Sequence, residues 1–164
     1  MTNATELTPA DEAQFLQQAV QLAIDNVRAG QEPFAALVVR DGQVLGTGVN
    51  STVLDTDPTA HAEVAAVREA CRQLATVHLA GATVVSSCEP CAMCHAVCAV
   101  AGVSQIIYAA PKELVPDVGG LPRPDLVEMQ TTLRAMAGET IRHVPTPGAD
   151  EPFAQFVELD ESRG

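Results

Sequence analysis

The starts of two predicted helices carry the residues that most constrain how this chain can fold. One helix begins near His61-Ala-Glu63 and the other near Cys91-Ala-Met-Cys94. Cys91 and Cys94 are three positions apart at the start of a helix, so their sulfur atoms share one face. Two thiolates and an imidazole suit Zn²⁺, and a helix N-terminus favours the thiolate form. We therefore expect both helix N-termini to point at one metal ion.

The cysteine spacing also allows two other metal sites. Four of the five cysteines fall within eleven residues: Cys88, Cys91, Cys94 and Cys98. This is the spacing of a bacterial iron–sulfur motif, but Ala99 stands where that motif has proline, and the cysteines of a second cluster are absent. The third arrangement is a closed structural zinc site with Cys88 or Cys98 as its fourth ligand.

Of the three arrangements, we favour an open zinc site with one Zn²⁺ ion per chain. Its ligands are His61, Cys91 and Cys94, and water takes the fourth position. Cys71 and Cys98 are interpreted as small core residues, and Cys88 as a core residue or a neighbour of the site.

Helical and strand patterns alternate along the chain. Helices are predicted near residues 9–29, 60–74, 91–100 and 125–137, and strands near residues 34–39, 43–49, 83–86, 105–108 and 140–144. Residues 50–59 are polar and predict a loop, and a long Pro- and Gly-rich loop follows Tyr108. Such alternation indicates an α/β fold with a partly parallel sheet.

The length of 164 residues suits one domain. We expect a single domain over residues 1–164 with its core at about 8–144. A Pro-Thr-Pro-Gly segment separates the tail, residues 145–164, whose apolar side chains need to be buried on the chain's own core or on a partner subunit.

The charge balance disfavours whole classes of partner. Lysine and arginine number 9 against 21 aspartates and glutamates, the net charge is −12, and Lys112 is the single lysine. Such a surface repels nucleic-acid phosphates and anionic membranes. The sequence shows no transmembrane stretch and no signal peptide at its start. Together with cysteines that suit a reducing compartment, this predicts a cytoplasmic protein that binds neither nucleic acid nor membrane.

The motifs resemble those of a known enzyme superfamily. His61-Ala-Glu63 followed by Pro90-Cys91-Ala-Met-Cys94 resembles the zinc-dependent cytidine and deoxycytidylate deaminases. Further segments resemble the bacterial guanine deaminase branch: Pro33-Phe34, Asp41-Gly42, Gly48-Val49-Asn50, the residues 57–63 and the residues 68–71. The resemblance implies a three-layer α/β/α cytidine deaminase-like fold, with a five-stranded mixed sheet between helices, and a homodimer.

The resemblance also implies roles for individual residues. Glu63 would be catalytic and move protons for a zinc-activated water. Asn50 would hydrogen-bond the base, the Ala62 N–H would donate to a ring carbonyl, and Phe34 would pack under the ring. We therefore expect a hydrolytic deaminase that releases ammonia from a small nucleobase-like substrate, such as guanine, cytosine or an amino-triazine.

Several positions depart from guanine deaminases. Ala92 replaces a proline, the chain has no tryptophan, and Leu114 aligns with an acid that contacts the purine. Because leucine accepts no hydrogen bond, we predict that guanine is not the best substrate unless Glu113 or Asp117 compensates. The helical His95 is either a hydrogen-bonded or exposed residue or a pocket residue.

Other functions stay open on the sequence alone. The nearest alternative enzyme is a tRNA adenosine deaminase, which shares the motifs, but the acidic charge disfavours it. A cytidine or guanosine deaminase is harder to exclude, because a ribose leaves little trace in the sequence. The alternatives that are not enzymes are an iron–sulfur protein and a structural zinc protein.

Overall fold

The computed structural model of the chain describes residues 6–116, 129, 131–132, 135 and 140–162. In chain order the elements are α1 (Pro9–Arg28), β1 (Ala35–Arg40), β2 (Gln43–Val49), α2 (Thr52–Asp55), α3 (Ala62–Leu74), β3 (Thr83–Cys88), α4 (Ala92–Val100), β4 (Gln105–Ala110), a 3₁₀ turn (Lys112–Leu114), β5 (Ile141–His143) and α5 (Glu151–Glu161). The helix predicted for residues 125–137 lies mostly outside the described residues.

Within the described residues, the strands form one five-stranded sheet in the order β2-β1-β3-β4-β5. Strand β1 is antiparallel to both β2 and β3, whereas β3, β4 and β5 are parallel to one another. Helix α4 makes the crossover that a parallel connection from β3 to β4 requires. The predicted mixed sheet is confirmed.

Alternate residues of the strands face two different helix layers. Leu37 and Val85 pack in one hydrophobic cluster with residues of α1 and with Phe153 of α5. Val38 and Val84 pack in a second cluster with residues of α3 and α4. The three-layer α/β/α architecture is therefore confirmed.

Local sequence signals set the ends of the first elements. Thr8 caps α1 through a capping box, in which its hydroxyl and the Asp11 carboxylate each bond the other residue's backbone N–H. Asp41 and Gly42 have φ angles of 52° and 71°, as a two-residue hairpin between β1 and β2 requires. Both features agree with the predicted helix near residues 9–29 and with the predicted strands near residues 34–39 and 43–49.

A glycine on β2 brings the start of α3 close to the sheet. A Cβ atom at Gly48 would lie 2.2 Å from the carbonyl oxygen of Ala62 and 2.4 Å from the amide nitrogen of Ala66. Because side chains do not approach backbone so closely, only glycine fits here. This packing sets how far the N-terminus of α3, with His61 and Glu63, stands from the sheet.

One segment differs from the sequence prediction, because the predicted loop of residues 50–59 contains the short helix α2. The tail, whose apolar side chains the sequence assigns to the chain's own core or to a partner, forms helix α5. Pro152 and Phe153 are buried within the chain, and the Phe153 ring lies 6.0 Å from that of Phe34. The described helices include none with the length and hydropathy needed to cross a lipid bilayer.

Candidate metal centre and active site

Three side chains meet where α3 and α4 begin. The Nδ1 atom of His61 and the Sγ atoms of Cys91 and Cys94 are each 3.6 Å from the other two. Tetrahedral Zn²⁺, with Zn–S near 2.3 Å and Zn–N near 2.0–2.1 Å, requires ligand separations of about 3.6–3.8 Å. The triangle therefore fits zinc in both ligand type and size, as the sequence predicts.

The helix starts explain how His61 and Glu63 can face one site although they are two positions apart. His61 is the N-cap residue of α3 and has an extended backbone, with φ −75° and ψ 154°. Cys91 is likewise the extended N-cap residue of α4, and Cys94 lies in the first turn of that helix. Because the two N-cap residues stand outside the helical periodicity, each can turn towards the metal position at the helix end.

The two sulfur atoms are in hydrogen-bond contact at 3.6 Å. This contact lowers the pKa of the Cys91 thiol to about 3, and His61 lowers it further. The same contact, together with burial and the nearby Glu63, raises the pKa of the Cys94 thiol. A divalent cation bound between the two sulfur atoms favours the thiolate form of both.

Glu63 lies directly beside the triangle. Its side chain is buried, and burial raises the pKa of the carboxyl group. Ser86 on β3 donates a hydrogen bond from Oγ to Glu63 Oε1 at 2.9 Å. The other oxygen, Oε2, lies 3.2 Å from the Sγ atom of Cys94. One carboxylate oxygen is thus held by the sheet, while the other faces the metal position.

The remaining cysteines take no part in the triangle. Among the described residues, His61, Cys91 and Cys94 form the one group of three or more His, Cys, Asp or Glu side chains close enough to share a metal ion. Burial raises the pKa of the Cys98 thiol to about 12, and it also raises that of Cys88. Such thiols stay protonated at neutral pH and are poor ligands. This geometry supports neither the four-cysteine cluster nor the closed zinc site.

A cavity of about 320 Å³ opens onto this site. Its volume lies in the range of small-molecule sites. The structure places the predicted substrate residues Phe34, Asn50 and Ala62 along its wall, together with Glu63 and His61. Their individual roles stay predictions.

The orientation of the Asn50 side chain follows from its hydrogen bonds. Asn50 is buried, and its Oδ1 atom accepts from the Thr52 N–H at 3.1 Å and from the Thr52 hydroxyl at 2.9 Å. A backbone N–H can only donate, so the atom facing Thr52 is the amide oxygen. The amide NH₂ group of Asn50 is therefore left to donate into the cavity.

The expectation for Leu114 is wrong. Its side chain is 48% exposed, and the residues of this loop that line the cavity are Lys112, Val115 and Pro116. The loop turns through a 3₁₀ helix, so Leu114 faces solvent. The compensating acid Glu113 is exposed as well and does not line the cavity, and Asp117 lies outside the described residues. The argument against guanine from Leu114 therefore fails.

His95 also lies outside the cavity at the metal triangle. It is buried and lines a separate cavity of about 270 Å³ beside β4 and β5, away from the metal triangle. The geometry thus gives His95 no contact with the proposed substrate site.

Sequence reasoning missed two charged residues of the cavity, Glu32 and Lys112. The one sequence signal for Glu32 was its position, two residues before the predicted substrate residue Phe34. Glu89 also lines the cavity, and its Oε2 atom accepts the Lys112 N–H at 3.3 Å. Glu89 thereby ties the loop after β4 to the segment that carries the cysteines.

Known proteins are similar to this chain in sequence and in fold. The family described as the cytidine and deoxycytidylate deaminase zinc-binding region matches residues 9–110. A guanine deaminase of Bacillus subtilis (strain 168) is 43% identical over 97 residues, which are 58% of this chain and 62% of that protein. A tRNA-specific adenosine deaminase of Aquifex aeolicus is 35% identical over 96 residues, which are 58% of this chain and 64% of that protein.

Similarity to solved structures extends over nearly the whole chain. A structure of the protein NE0047 in complex with 2,6-diaminopurine has a TM-score of 0.76 and 28% identity, and the match covers 97% of this chain and 86% of that one. By contrast, the chain spans less than two thirds of the length of the two curated relatives.

Proposed function

Because the chain belongs to the family of cytidine and deoxycytidylate deaminases with a zinc-binding region, we propose that it is a zinc-dependent hydrolytic deaminase of a small amino-substituted heteroaromatic base. One observation carries the proposal. The buried Glu63 carboxylate stands beside the triangle of His61, Cys91 and Cys94 where the cavity opens. A proton carrier, metal ligands and space for a ring thus meet at one point.

The residues of the chain divide the work of such a reaction. Zn²⁺, when bound, lowers the pKa of a water molecule and so supplies a nucleophile near neutral pH. Glu63 Oε2 takes a proton from the attacking water and passes it to the ring nitrogen beside the reacting carbon. It then takes the remaining proton from the hydroxyl group on the reacting carbon and passes it to the departing amino group, so that the ring gains a carbonyl oxygen and ammonia leaves.

Three residues position the base for this chemistry. The Asn50 NH₂ group and the Ala62 N–H donate to acceptor atoms of the ring. Ala62 is the first residue of α3, where backbone N–H groups lack partners within the helix. Phe34 offers an apolar face that packs on Phe153 from behind.

The charge of the cavity favours a free base over a nucleotide or a tRNA. Glu32, Glu63 and Glu89 line the cavity, and Lys112 is its one cationic side chain among the described residues. The chain as a whole has a net charge of −12. Both features repel phosphate groups, although the relatives include tRNA-specific deaminases.

Ammonia release tests the proposed function. The zinc-loaded protein is assayed with guanine, cytosine, melamine, cytidine, guanosine and a tRNA. We expect release from at least one free base and none from the tRNA, and a chelator should abolish the activity. Activity on the tRNA alone or on a nucleoside alone, or no release from any free base, would contradict the proposal.

We also propose that the protein is a homodimer in a reducing compartment such as the cytoplasm. An apolar groove between α3 and α4 supports the dimer, since its wall includes Val77 and Val100, which are 71% and 84% exposed. The cysteines among the described residues are free, which supports the compartment. Light scattering is expected to give twice the chain mass, and a monomeric mass would refute the dimer.

Ser86 provides a test of how Glu63 is held. Ser86→Ala removes the 2.9 Å hydrogen bond to Glu63 Oε1. A hydrogen bond to a charged group contributes about 1.5–3 kcal/mol, so we expect kcat to fall about ten- to a hundredfold. KM should change by less than about twofold, because Ser86 does not line the cavity.

Ser87→Ala is the matched control. The Ser87 hydroxyl is equally buried on β3, but it accepts the N–H of Ala35 at 3.0 Å instead of holding Glu63. Its loss should reduce the free energy of unfolding while leaving kcat near that of the parent. Equal kcat values for the two variants would show that Ser86 does not position Glu63.

A further inference from the structure

Glu32 is a charged residue of the cavity that the proposed chemistry does not use. Its half-buried side chain lies on the same wall as Asn50. Glu32 Oε2 is 3.3 Å from Oγ1 of Thr52, and that hydroxyl is 2.9 Å from Oδ1 of Asn50. Thr52 thus stands between an amide oxygen and a carboxylate.

The Thr52 hydroxyl cannot satisfy both groups. A hydroxyl carries one proton, and the shorter contact, to Asn50, is the better hydrogen bond. Among the described residues, no other donor bonds the carboxylate of Glu32. A carboxylate has about four acceptor sites, so Glu32 keeps most of its capacity for a group that enters the cavity.

The backbone fixes Glu32 relative to Asn50. The buried Asn26 side chain donates from Nδ2 to the carbonyl oxygens of Glu32, at 2.8 Å, and of Asn50, at 2.9 Å. The Asn50 N–H in turn donates to the carbonyl oxygen of Phe34 at 3.0 Å. These backbone hydrogen bonds hold Glu32 and Asn50 side by side. The cavity wall therefore presents the Asn50 amide as a donor next to the Glu32 carboxylate as an acceptor.

We propose that Glu32 determines substrate specificity by accepting a hydrogen bond from a second amino group of the base, besides the amino group that leaves. The inference rests on the proposed function and narrows its substrate class to heteroaromatic rings with two or more amino groups. Asn50 and the Ala62 N–H serve ring acceptors, whereas Glu89 already accepts the Lys112 N–H. A charge-assisted bond to Glu32 is about twice as strong as a neutral one.

Two triazines isolate the contribution of the extra amino groups. Melamine and 2-amino-1,3,5-triazine share a ring, but melamine has an amino group at each of three equivalent carbons. Any orientation that puts one amino-bearing carbon at the metal therefore puts another amino group on each side. Calorimetry measures binding to the zinc-loaded Glu63→Gln protein, in which turnover is slowed by roughly 10²–10⁴-fold.

Melamine has three equivalent orientations in the site, which alone raise its affinity about threefold over that of 2-amino-1,3,5-triazine. Beyond this statistical factor, we expect melamine to bind at least tenfold more tightly. Glu32→Gln should lower this ratio about threefold or more, because the neutral amide forms a bond with an amino donor that is about half as strong. Glu69→Gln, at a half-exposed position of α3 that does not line the cavity, is the control and should leave the ratio unchanged.

Each other outcome overturns the inference. An unchanged ratio in Glu32→Gln would show that Glu32 does not contact the second amino group. An equal loss of affinity for both triazines would assign it a general effect on the cavity, and no binding of either would exclude amino-triazines. Ammonia release distinguishes the two proposals: a preference that depends on Glu32 without release from any base would refute the activity and leave the binding role of Glu32 standing.

Discussion

Glu63→Gln is expected to keep its zinc and to lose activity by roughly 10²–10⁴-fold, the usual contribution of a positioned acid–base group. Glutamine has nearly the shape of glutamate but cannot carry a proton. Its amide oxygen can still accept the hydrogen bond from Ser86, and its NH₂ group can donate to the Cys94 sulfur, which lies 3.2 Å from Glu63 Oε2. The site should therefore stay assembled while proton transfer fails.

Zinc content and steady-state kinetics on the best base of the ammonia panel check this prediction together. Glu69→Gln is the matched control, because it removes the same charge from a half-exposed position of the same helix, where Glu69 pairs with Arg72. Parent-like turnover by Glu63→Gln with zinc bound would show that another group moves the proton. Loss of zinc from this variant would instead show that the carboxylate is needed to hold the metal.

The sequence predicted the metal triangle because short-range rules determine it. His61 and Cys91 are each placed by a helix start, and the three-residue spacing of Cys91 and Cys94 acts within one helical turn. The long-range step, which brings α3 and α4 together, follows from their packing on one face of the sheet. The sequence could predict that the two helices pack on the same sheet, because strand β3 lies between them along the chain.

The sequence did not predict the far wall of the cavity. Leu114 and Lys112 are two residues apart in a loop, and the 3₁₀ turn that exposes one and brings the other to the cavity has no periodic hydrophobic pattern. Glu32 depends on Asn26, a buried side chain of α1 that looks like an ordinary helical residue in the sequence. Hydrogen bonds between side chains and distant backbone atoms leave no local signal.

Cys91→Ala is expected to lower the zinc content from about one ion per chain to near zero. Two ligands remain in this variant, whereas catalytic zinc sites in proteins have three. Activity should fall at least as far as in Glu63→Gln, because the metal that activates the water is lost together with its ligand. Zinc that binds the native state alone stabilises the parent by about 4 kcal/mol at a thousandfold excess over Kd, and added zinc should no longer raise the Tm of the variant.

Two cysteine controls make the zinc measurement specific. Cys98→Ala, on the same helix, removes a buried thiol of the core and should keep both zinc and activity with a modest loss of stability. Cys88→Ala should also keep its zinc, because Cys88 lies outside the group of side chains close enough to share a metal ion. If Cys88→Ala lost its zinc as completely as Cys91→Ala, Cys88 would be identified as a ligand. If the parent protein contained iron and labile sulfide, the site would be an iron–sulfur cluster and not a zinc site.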